Sequence, residues 1–166
     1  MAMKLDGLGY VFGLEDGTIE LWEKAKPKPV KCLGPLQGHS DLVRVVDLSP
    51  HYLISGSWDA SIKLWCRNSG KILHEFASED GPVSGLYLNE ALNCVLFSAR
   101  AGKVRKLQLD SFELAGKFEM DHGDCIIDMS VDGQRVLTGG SDAKLNLFTF
   151  HEGTTMHSDC IFEGYI

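Results

Sequence analysis

The sequence lacks several features that would assign a protein to a class at once. No apolar run approaches the roughly 18 residues that cross a bilayer as a helix, so we expect no membrane span. Positive charge is also scarce, because 16 Lys and Arg stand against 23 Asp and Glu, for a formal net charge of −7. Binding to duplex DNA requires clustered Lys and Arg, so the composition argues against DNA as a partner.

Cysteine is present, but in no pattern that would build a framework. The five cysteines are widely spaced and form no Cys-x-x-Cys pair: Cys32, Cys66, Cys94, Cys125 and Cys160. Such a set predicts reduced thiols rather than disulfides or a zinc site. A repeated His-x-Asp-Cys, at His122–Cys125 and His157–Cys160, leaves a metal as a minor alternative, but we predict neither metal nor cofactor. With no long apolar segment at Met1–Asp6, we expect a cytoplasmic protein, and a nuclear location stays open.

Regular helical patterning is absent as well. No window keeps an apolar period of 3.6 residues, so helices should be few. The 166 residues instead have an ordinary globular composition, 44% hydrophobic, and fit a single domain by length. The 18 glycines exceed the usual share and indicate many turns.

An internal repeat of about 42 residues organises the chain. Four segments align at offsets of 43, 42 and 41 residues, and each has a tight polar turn followed by an alternating stretch. The segments are Gly13–Trp22, Gly56–Trp65, Ser98–Leu107 and Gly139–Phe148. Alternation of apolar and polar residues beside such a turn predicts two strands joined as a hairpin.

Two further short strands are predicted in each unit. In the second unit they are Leu42–Leu48, closed by Ser49-Pro50, and Lys71–Phe76, after a turn at Asn68–Gly70. Four short antiparallel strands at this spacing are typical of a β-propeller blade, so we predict an all-β fold of about four blades. We place the blades at approximately 1–35, 36–77, 78–119 and 120–166.

The second unit resembles the WD-repeat β-propeller family. It reads Gly38-His39-Ser-Asp41, and then Ser55-Gly-Ser-Trp-Asp59-Ala-Ser-Ile-Lys-Leu-Trp65. In that family a loop His, a strand Ser or Thr, a turn Asp and a strand Trp form a hydrogen-bonded tetrad. The resemblance assigns these roles to His39, Ser55, Asp59 and Trp65, and the His and the hydroxyl would supply the donors that a buried Asp needs.

The first and fourth units match this tetrad in part. The fourth keeps His122, Thr138 and Asp142. It has Phe148 in place of the Trp, and because Phe has no N–H we expect a shortened network. The first unit keeps Asp16 and Trp22 but contains no loop His.

The third unit has lost the signature, with Ala101 and Leu107 at two of its positions and no His near residue 80. We expect its network to be absent and packing to replace it. The same unit carries a basic cluster, Arg100, Lys103, Arg105 and Lys106. The cluster is either a solvated strand face or a contact for an acidic partner, and the Pro-broken segment Lys24–Lys31 is a weaker candidate for such a contact.

Catalysis is not expected. His39, Ser55 and Asp59 have the residue types of a nucleophile triad, but the same types recur one unit apart at regular spacing, as structural residues do. The exposed Gly-x-Ser-x-Gly elbow of many hydrolases is missing. We therefore predict a non-catalytic scaffold that binds protein partners, with a structural subunit or fragment of a larger propeller as the alternative.

The resemblance also implies where partners would bind. Family contacts fall at the start of the inner strand and just before the turn Asp, so the candidate partner-binding face consists of Glu15, Leu42, Arg44, Trp58, Ser84, Arg100, Ile127 and Ser141. Exposed Trp and Arg are the residues that most often anchor protein interfaces. The alternative for Trp58 is packing against the neighbouring blade.

The length raises a separate question. About four blades fit into 166 residues, whereas the family resemblance implies seven or eight. An open half-ring would expose two apolar sheet faces, so we expect self-association into an eight-bladed ring or docking onto further blades. A truncated product is the alternative. Met1–Gly7 fits an innermost strand, and Thr154–Ile166 fits the outer strand of the fourth blade better than the start of a fifth.

Overall fold

The computed structural model describes residues 2–23, 31–33, 38–119, 122–132, 135–150 and 156–163. These residues contain sixteen strands and no helix, and therefore no helix long and apolar enough to span a membrane. The first sheet consists of β1 Ala2–Leu5, β2 Gly9–Gly13, β3 Ile19–Glu23 and β4 Lys31–Leu33. The second consists of β5 Val43–Leu48, β6 Tyr52–Ser57, β7 Ser61–Cys66 and β8 Ile72–Ala77.

The second half of the chain repeats this arrangement. The third sheet consists of β9 Val83–Asn89, β10 Cys94–Ala99, β11 Lys103–Gln108 and β12 Leu114–Glu119. The fourth consists of β13 Ile126–Asp132, β14 Arg135–Gly140, β15 Lys144–Phe150 and β16 Met156–Glu163. In every sheet the four strands pair antiparallel in chain order. The prediction of an all-β fold built from four-stranded blades is confirmed.

The four sheets pack against one another in chain order, and the first strands of successive sheets are in contact. β1 contacts β5, β5 contacts β9 and β9 contacts β13, so these are the inner strands. Within the described residues no contact of similar extent joins β13 back to β1, so the arrangement is an open series rather than a closed ring. β1 is an inner strand and β16 is the fourth strand of the fourth sheet, as expected for the two terminal segments.

Three apolar clusters fill the spaces between consecutive sheets. Period-two alternation sends neighbouring side chains of one strand to opposite sides of its sheet. Leu53 of β6 therefore packs against the first sheet, whereas Ile54 beside it packs against the third. Each sheet thus has a side that contacts the preceding sheet and a side that contacts the following one.

The turns between the second and third strands share one backbone feature. One residue near the end of each turn has a positive φ, namely Gly17, Ala60, Gly102 and Ala143. Glycine is required where the next loop comes close: a Cβ on Gly17 would lie 2.1 Å from the His39 carbonyl oxygen, and one on Gly102 would lie 2.6 Å from that of Asp124. The turns of the first and third sheets therefore lie directly against the loops that carry His39 and His122.

Polar contacts also join the sheets at the opposite end. The Arg67 guanidinium donates to both carboxylate oxygens of Asp6, which belongs to the first sheet, and to the Ser49 carbonyl oxygen at 2.8 Å. The hydrogen bond from Arg67 holds the pKa of Asp6 at about 2. On the inner strands, Asp47 accepts from the Leu88 N–H at 2.9 Å and pairs with Lys4 at 3.0 Å. Successive sheets are therefore linked by charge as well as by apolar packing.

Candidate partner-binding face

The hydrogen-bonded network of the second sheet brings four side chains together. His39 Nε2 lies 2.7 Å from Ser55 Oγ, and His39 Nδ1 lies 3.0 Å from Asp59 Oδ2. The Trp65 indole N–H donates to the same Ser55 Oγ at 3.0 Å. The four residues that the sequence assigned to a tetrad thus form one continuous chain of contacts.

The network is complete when His39 is neutral. The Ser55 hydroxyl, which accepts from Trp65, can then donate to His39 Nε2, while Nδ1–H donates to Asp59. Burial of the imidazole lowers the pKa of His39, and the nearby Asp59 carboxylate only partly opposes this. Burial favours the neutral ring that the network needs.

Asp59 anchors the network at the turn. Partial burial acts to raise the pKa of Asp59, but hydrogen bonds from the Ser61 hydroxyl and the Ser40 backbone N–H, together with His39, hold it below its ordinary value. Ser61 was not among the residues predicted from the sequence. The Ser61 backbone N–H also donates to Asp59, at 2.8 Å, as the Thr18 and Lys144 N–H groups donate to Asp16 and Asp142. The second residue after the turn Asp is therefore a usable signal.

The fourth sheet has a shorter version of this network. His122 Nδ1 lies 3.0 Å from Asp142 Oδ1, and His122 Nε2 lies 2.9 Å from Thr138 Oγ1. Phe148 is buried at the position of Trp65 and supplies no donor to the Thr138 hydroxyl. Partial burial acts to raise the pKa of Asp142, but hydrogen bonds from His122 and the Gly123 N–H hold it below its ordinary value.

The two matching residues of the first sheet do not meet. Asp16 is exposed and accepts the Thr18 N–H at 3.0 Å, and this bond lowers the pKa of Asp16. The Trp22 indole N–H donates to Glu20 at 3.2 Å, within the same strand. Phe12 occupies the position of Ser55, so the strand hydroxyl that would connect the two is missing.

The third sheet differs from expectation. Arg105 Nε and Nη2 donate to the two carboxylate oxygens of Asp80 at 2.5 and 2.8 Å, and both side chains are largely buried. Asp80 lies in the loop before β9, one unit from His39 and His122. The expectation that packing replaces the hydrogen-bonded network in this sheet was wrong, because a bidentate ion pair joins the loop to β11 there.

The same ion pair changes the interpretation of the basic cluster as a contact for an acidic partner. Arg105 is buried and neutralised by Asp80, so it presents no charge to a partner. Lys103 and Lys106 are half-buried, and Arg100 alone of the four is exposed. The other basic candidate, Lys24–Lys31, lies outside the described residues apart from the backbone of Lys31.

The candidate face itself lies at one end of the sheets. Antiparallel pairing places the start of each inner strand beside the turn between the second and third strands, as Val43 opposite Ser57 illustrates. Turn and strand start are bonded to each other: the Trp58, Arg100 and Ser141 N–H groups donate to the carbonyl oxygens of Leu42, Pro82 and Cys125. All eight candidate residues therefore lie at the same end.

The side chains at that end differ in exposure. Trp58 is 53% exposed, Ile127 is 50% exposed, and Glu15, Arg100 and Ser141 are also exposed. Leu42 and Arg44 are half-buried, and Ser84 shares a 3.0 Å hydrogen bond with Ser98. Trp58 stays a candidate for a partner contact, because about half of its surface is exposed.

A groove of about 420 Å³ runs between the second and third sheets at this end. It brings together three of the candidates, Trp58, Ser84 and Arg100, with four residues that sequence reasoning did not select, Asp41, Pro82, Val83 and Cys125. Each additional residue lies one or two positions from a selected one, so extending each candidate by two neighbours would have found them.

The triad-like residues of the second sheet are closed to a substrate. Ser55 is fully buried, with its oxygen between His39 and Trp65, so a substrate has no access to it. In the part of the chain that the structure describes, no group of three His, Cys, Asp or Glu could hold a metal ion. Aromatic, apolar and charged side chains are exposed together at this end instead.

The comparisons with known proteins agree with the fold. The family model "WD domain, G-beta repeat" matches residues 30–66. The chain is similar to the "WD repeat domain-containing protein 83 homolog" of Dictyostelium discoideum, with 31% identity over 117 residues, 68% of this chain and 36% of that protein. The chain thus spans about a third of that relative.

Solved structures agree as well. The "WD40 beta propeller domain of Doa1" matches with a TM-score of 0.80 and 20% identity, over 99% of this chain and 54% of that one. The "computationally designed Ika4 protein" matches with a TM-score of 0.78 and 19% identity, over 90% of both chains. Together with the repeat spacing, the four-stranded sheets and the second sheet's network, these matches show that the chain belongs to the WD-repeat family.

Proposed function

We propose that this chain is a non-catalytic scaffold that binds protein partners through the groove around Trp58. Proteins of the WD-repeat family generally act as protein-interaction scaffolds, and their propeller fold is generally non-catalytic. The observation that carries the proposal is the exposed indole of Trp58, held beside Arg100 in a groove between two sheets. A large exposed aromatic next to an Arg is the composition of an interface anchor.

The backbone that presents Trp58 is rigid. Its N–H donates to the Leu42 carbonyl oxygen at 3.0 Å, and the next residue, Asp59, anchors the buried network. The residue before it, Ser57, donates its hydroxyl to the Asp41 carbonyl oxygen at 3.1 Å. A side chain displayed on fixed backbone loses less conformational entropy on binding, so more of the contact energy is available for affinity.

The groove also favours a kind of partner. Val83 and Pro82 form an apolar part next to the Trp58 ring, while Asp41 and Arg100 provide opposite charges. A partner segment that inserts an apolar side chain and carries an acidic group for Arg100 fits this distribution. We also propose a cytoplasmic location, since the five cysteines are widely spaced and form no Cys-x-x-Cys pair.

The test is quantitative capture of partners from a cell lysate by the tagged chain. Trp58→Ala and Arg100→Glu should lower the recovery of the same set of proteins about tenfold or more. Leu92→Ala is the matched control, because Leu92 is an equally exposed apolar residue in the turn between β9 and β10, at the opposite end. Recovery that is identical for all three variants and the wild type would rule out this groove.

A second candidate function, a structural subunit that associates with a second copy or with further blades, is favoured by a different observation. Large apolar side chains are exposed on the first and fourth sheets, among them Met3, Leu5, Leu137 and Leu145. Terminal repeats that face solvent usually have polar outer surfaces. These side chains therefore support a further contact between sheets.

A further inference from the structure

We propose that the free side of the fourth sheet binds the free side of the first sheet in a second copy of this chain, so that two copies close head to tail into a ring of eight sheets. The inference rests on the second candidate function and specifies which surfaces meet. We call the first-sheet surface the aromatic face; it consists of Met3, Leu5, Tyr10, Phe12 and Trp22. The fourth-sheet surface, the leucine face, consists of Leu137, Leu145 and Leu147.

Strand register defines the aromatic face. Leu5 pairs with Tyr10 and Tyr10 with Trp22, so these three side chains lie on one side of the sheet. The alternate residue, Val11, packs against the second sheet, and among the described residues no other sheet packs on the Tyr10 side. Its rings contact one another: Tyr10 stacks on Trp22 with centroids 6.1 Å apart and meets Phe12 edge-on at 5.8 Å.

Register defines the leucine face in the same way. Leu137 pairs with Leu147, and Leu145 pairs with Gly139, so the three leucines share one side. The alternate residue, Val136, packs against the third sheet. Leu137 and Leu145 are exposed on the opposite side.

The interfaces within the chain show what each face is suited to contact. In the second sheet, Leu53 and Trp65 pack against the preceding sheet. One repeat earlier, the same two positions are Tyr10 and Trp22. The aromatic face therefore has the residues of a side that contacts a preceding sheet.

The leucine face corresponds to the other side of a sheet. Ile54, Ile62 and Leu64 of the second sheet are buried against the following sheet. Two repeats later, the same positions are Leu137, Leu145 and Leu147. The leucine face is thus built to contact a following sheet, and the aromatic face is the surface it would meet there.

The charge of Glu20, on the aromatic side, is compatible with burial. Glu20 accepts the Trp22 indole N–H at 3.2 Å, within its own sheet. The equivalent positions Lys63 and Arg105 are buried between sheets, and each is paired with a carboxylate, Glu75 or Asp80. A charged residue here is therefore accommodated in an interface when it has a partner on its own chain.

The matches to solved structures fit two copies. This chain covers 54% of the WD40 domain chain of Doa1, so two lengths of it amount to one such domain. It also covers 90% of the designed Ika4 chain, which is therefore similar to this one in length. A heterologous contact between two different faces forms a ring when its rotation closes, and an open filament when it does not.

The first experiment measures the solution mass of the full 166-residue chain by light scattering after gel filtration. We expect the mass of two chains. A chain that stays single while unfolding cooperatively would overturn the proposal, and so would open polymers of increasing length.

Three matched variants locate the contact. Leu5→Glu on the aromatic face and Leu145→Glu on the leucine face each place an unpaired charge in the interface, and should raise the dimer dissociation constant about tenfold or more. Leu92→Glu, on neither face, should leave it unchanged. All three leucines are exposed, so circular dichroism should show the same fold in each variant.

Mixing the two interface variants tests the head-to-tail geometry. In a mixed pair, the intact leucine face of the Leu5→Glu chain meets the intact aromatic face of the Leu145→Glu chain. The mixture should therefore associate at lower concentration than either variant alone. If Leu145→Glu alone leaves the dimer unchanged, the aromatic faces bind each other and the proposed geometry is wrong.

The scaffold proposal is tested independently of the association between two copies. Trp58→Ala should reduce partner capture without changing the mass in solution, because Trp58 lies on neither face. Loss of association in Leu5→Glu, with Trp58-dependent capture intact, would support the two proposals independently. A wild-type chain that is single but still captures partners through Trp58 would overturn the association alone.

Discussion

The second and third sheets each anchor the loop before their inner strand, but they do so by different chemistry. In the second, a neutral His39 links the Asp59 turn to Ser55 and Trp65 through hydrogen bonds. In the third, Asp80 in the equivalent loop pairs with Arg105 of the strand. The difference teaches that the fold requires an anchored loop at this end, whereas the chemistry of the anchor can change.

The two anchors also differ in how they tolerate damage. In the second sheet the charged member, Asp59, also accepts hydrogen bonds from Ser40 and Ser61, so the loss of Ser55 or Trp65 leaves hydrogen-bonding groups unpaired but no charge without a partner. A buried ion pair is offset by its own desolvation, and the loss of one partner leaves a charge in a low-dielectric site. The predictions that follow exploit this contrast.

The largest loss of stability is expected when the Asp80–Arg105 ion pair is broken. Asp80→Ala should lower the free energy of unfolding by about 3–5 kcal/mol, because it leaves the buried Arg105 guanidinium without a partner. Adding Arg105→Met should restore most of the loss, since no charge is then unpaired. Urea unfolding measures both, and a double variant as unstable as Asp80→Ala would mean that the pair is not the anchor.

The next effect compares the complete network with the shortened one. Ser55→Ala should cost about 2–3 kcal/mol, because both His39 Nε2 and the Trp65 N–H lose their partner. Thr138→Val should cost about 1–2 kcal/mol, because only His122 Nε2 does. Equal losses in thermal or urea unfolding would show that the Trp65 hydrogen bond adds nothing to the second sheet.

A smaller effect is expected at the turns beneath the loops. Gly17→Ala should cost about 1–2 kcal/mol, because the added Cβ would clash with the His39 carbonyl oxygen and the residue has a φ of 82°. Ala60 has a φ of 63° without that constraint, so Ala60→Gly should stabilise the protein by less than about 1 kcal/mol. Unfolding midpoints of the two variants that moved in the same direction would contradict this reading of the turns.

The smallest effect is the pH dependence of the second sheet. Because burial lowers the pKa of His39 below the ordinary histidine value of about 6.5, the unfolded chain takes up a proton first as the pH falls. Stability is therefore complete above that value and declines below it. The free energy of unfolding, measured from pH 7.5 to 5.5, should fall more steeply in the wild type than in His39→Gln; parallel curves would remove His39 as the cause.

Much of the architecture could be predicted because it is locally encoded. Period-two alternation marks each hairpin, and the constant spacing from Asp16 to Asp59 and Asp142 marks the unit. The tetrad positions follow from residue types at fixed offsets within one unit. The exposure of individual side chains could not be predicted from these local patterns. Arg100 and Arg105 look alike in sequence, but Arg100 is exposed and Arg105 is buried with Asp80.

The sequence by itself determined the number of units, their strand pattern and the sites of the two histidine networks, because these depend on neighbours in one strand or turn. Only the tertiary structure decided that Asp80 replaces the histidine and that Trp58 and Arg100 share a groove. Each of these joins groups on different loops or sheets. Their distance is set by how one sheet packs on the next, and no local pattern encodes that distance.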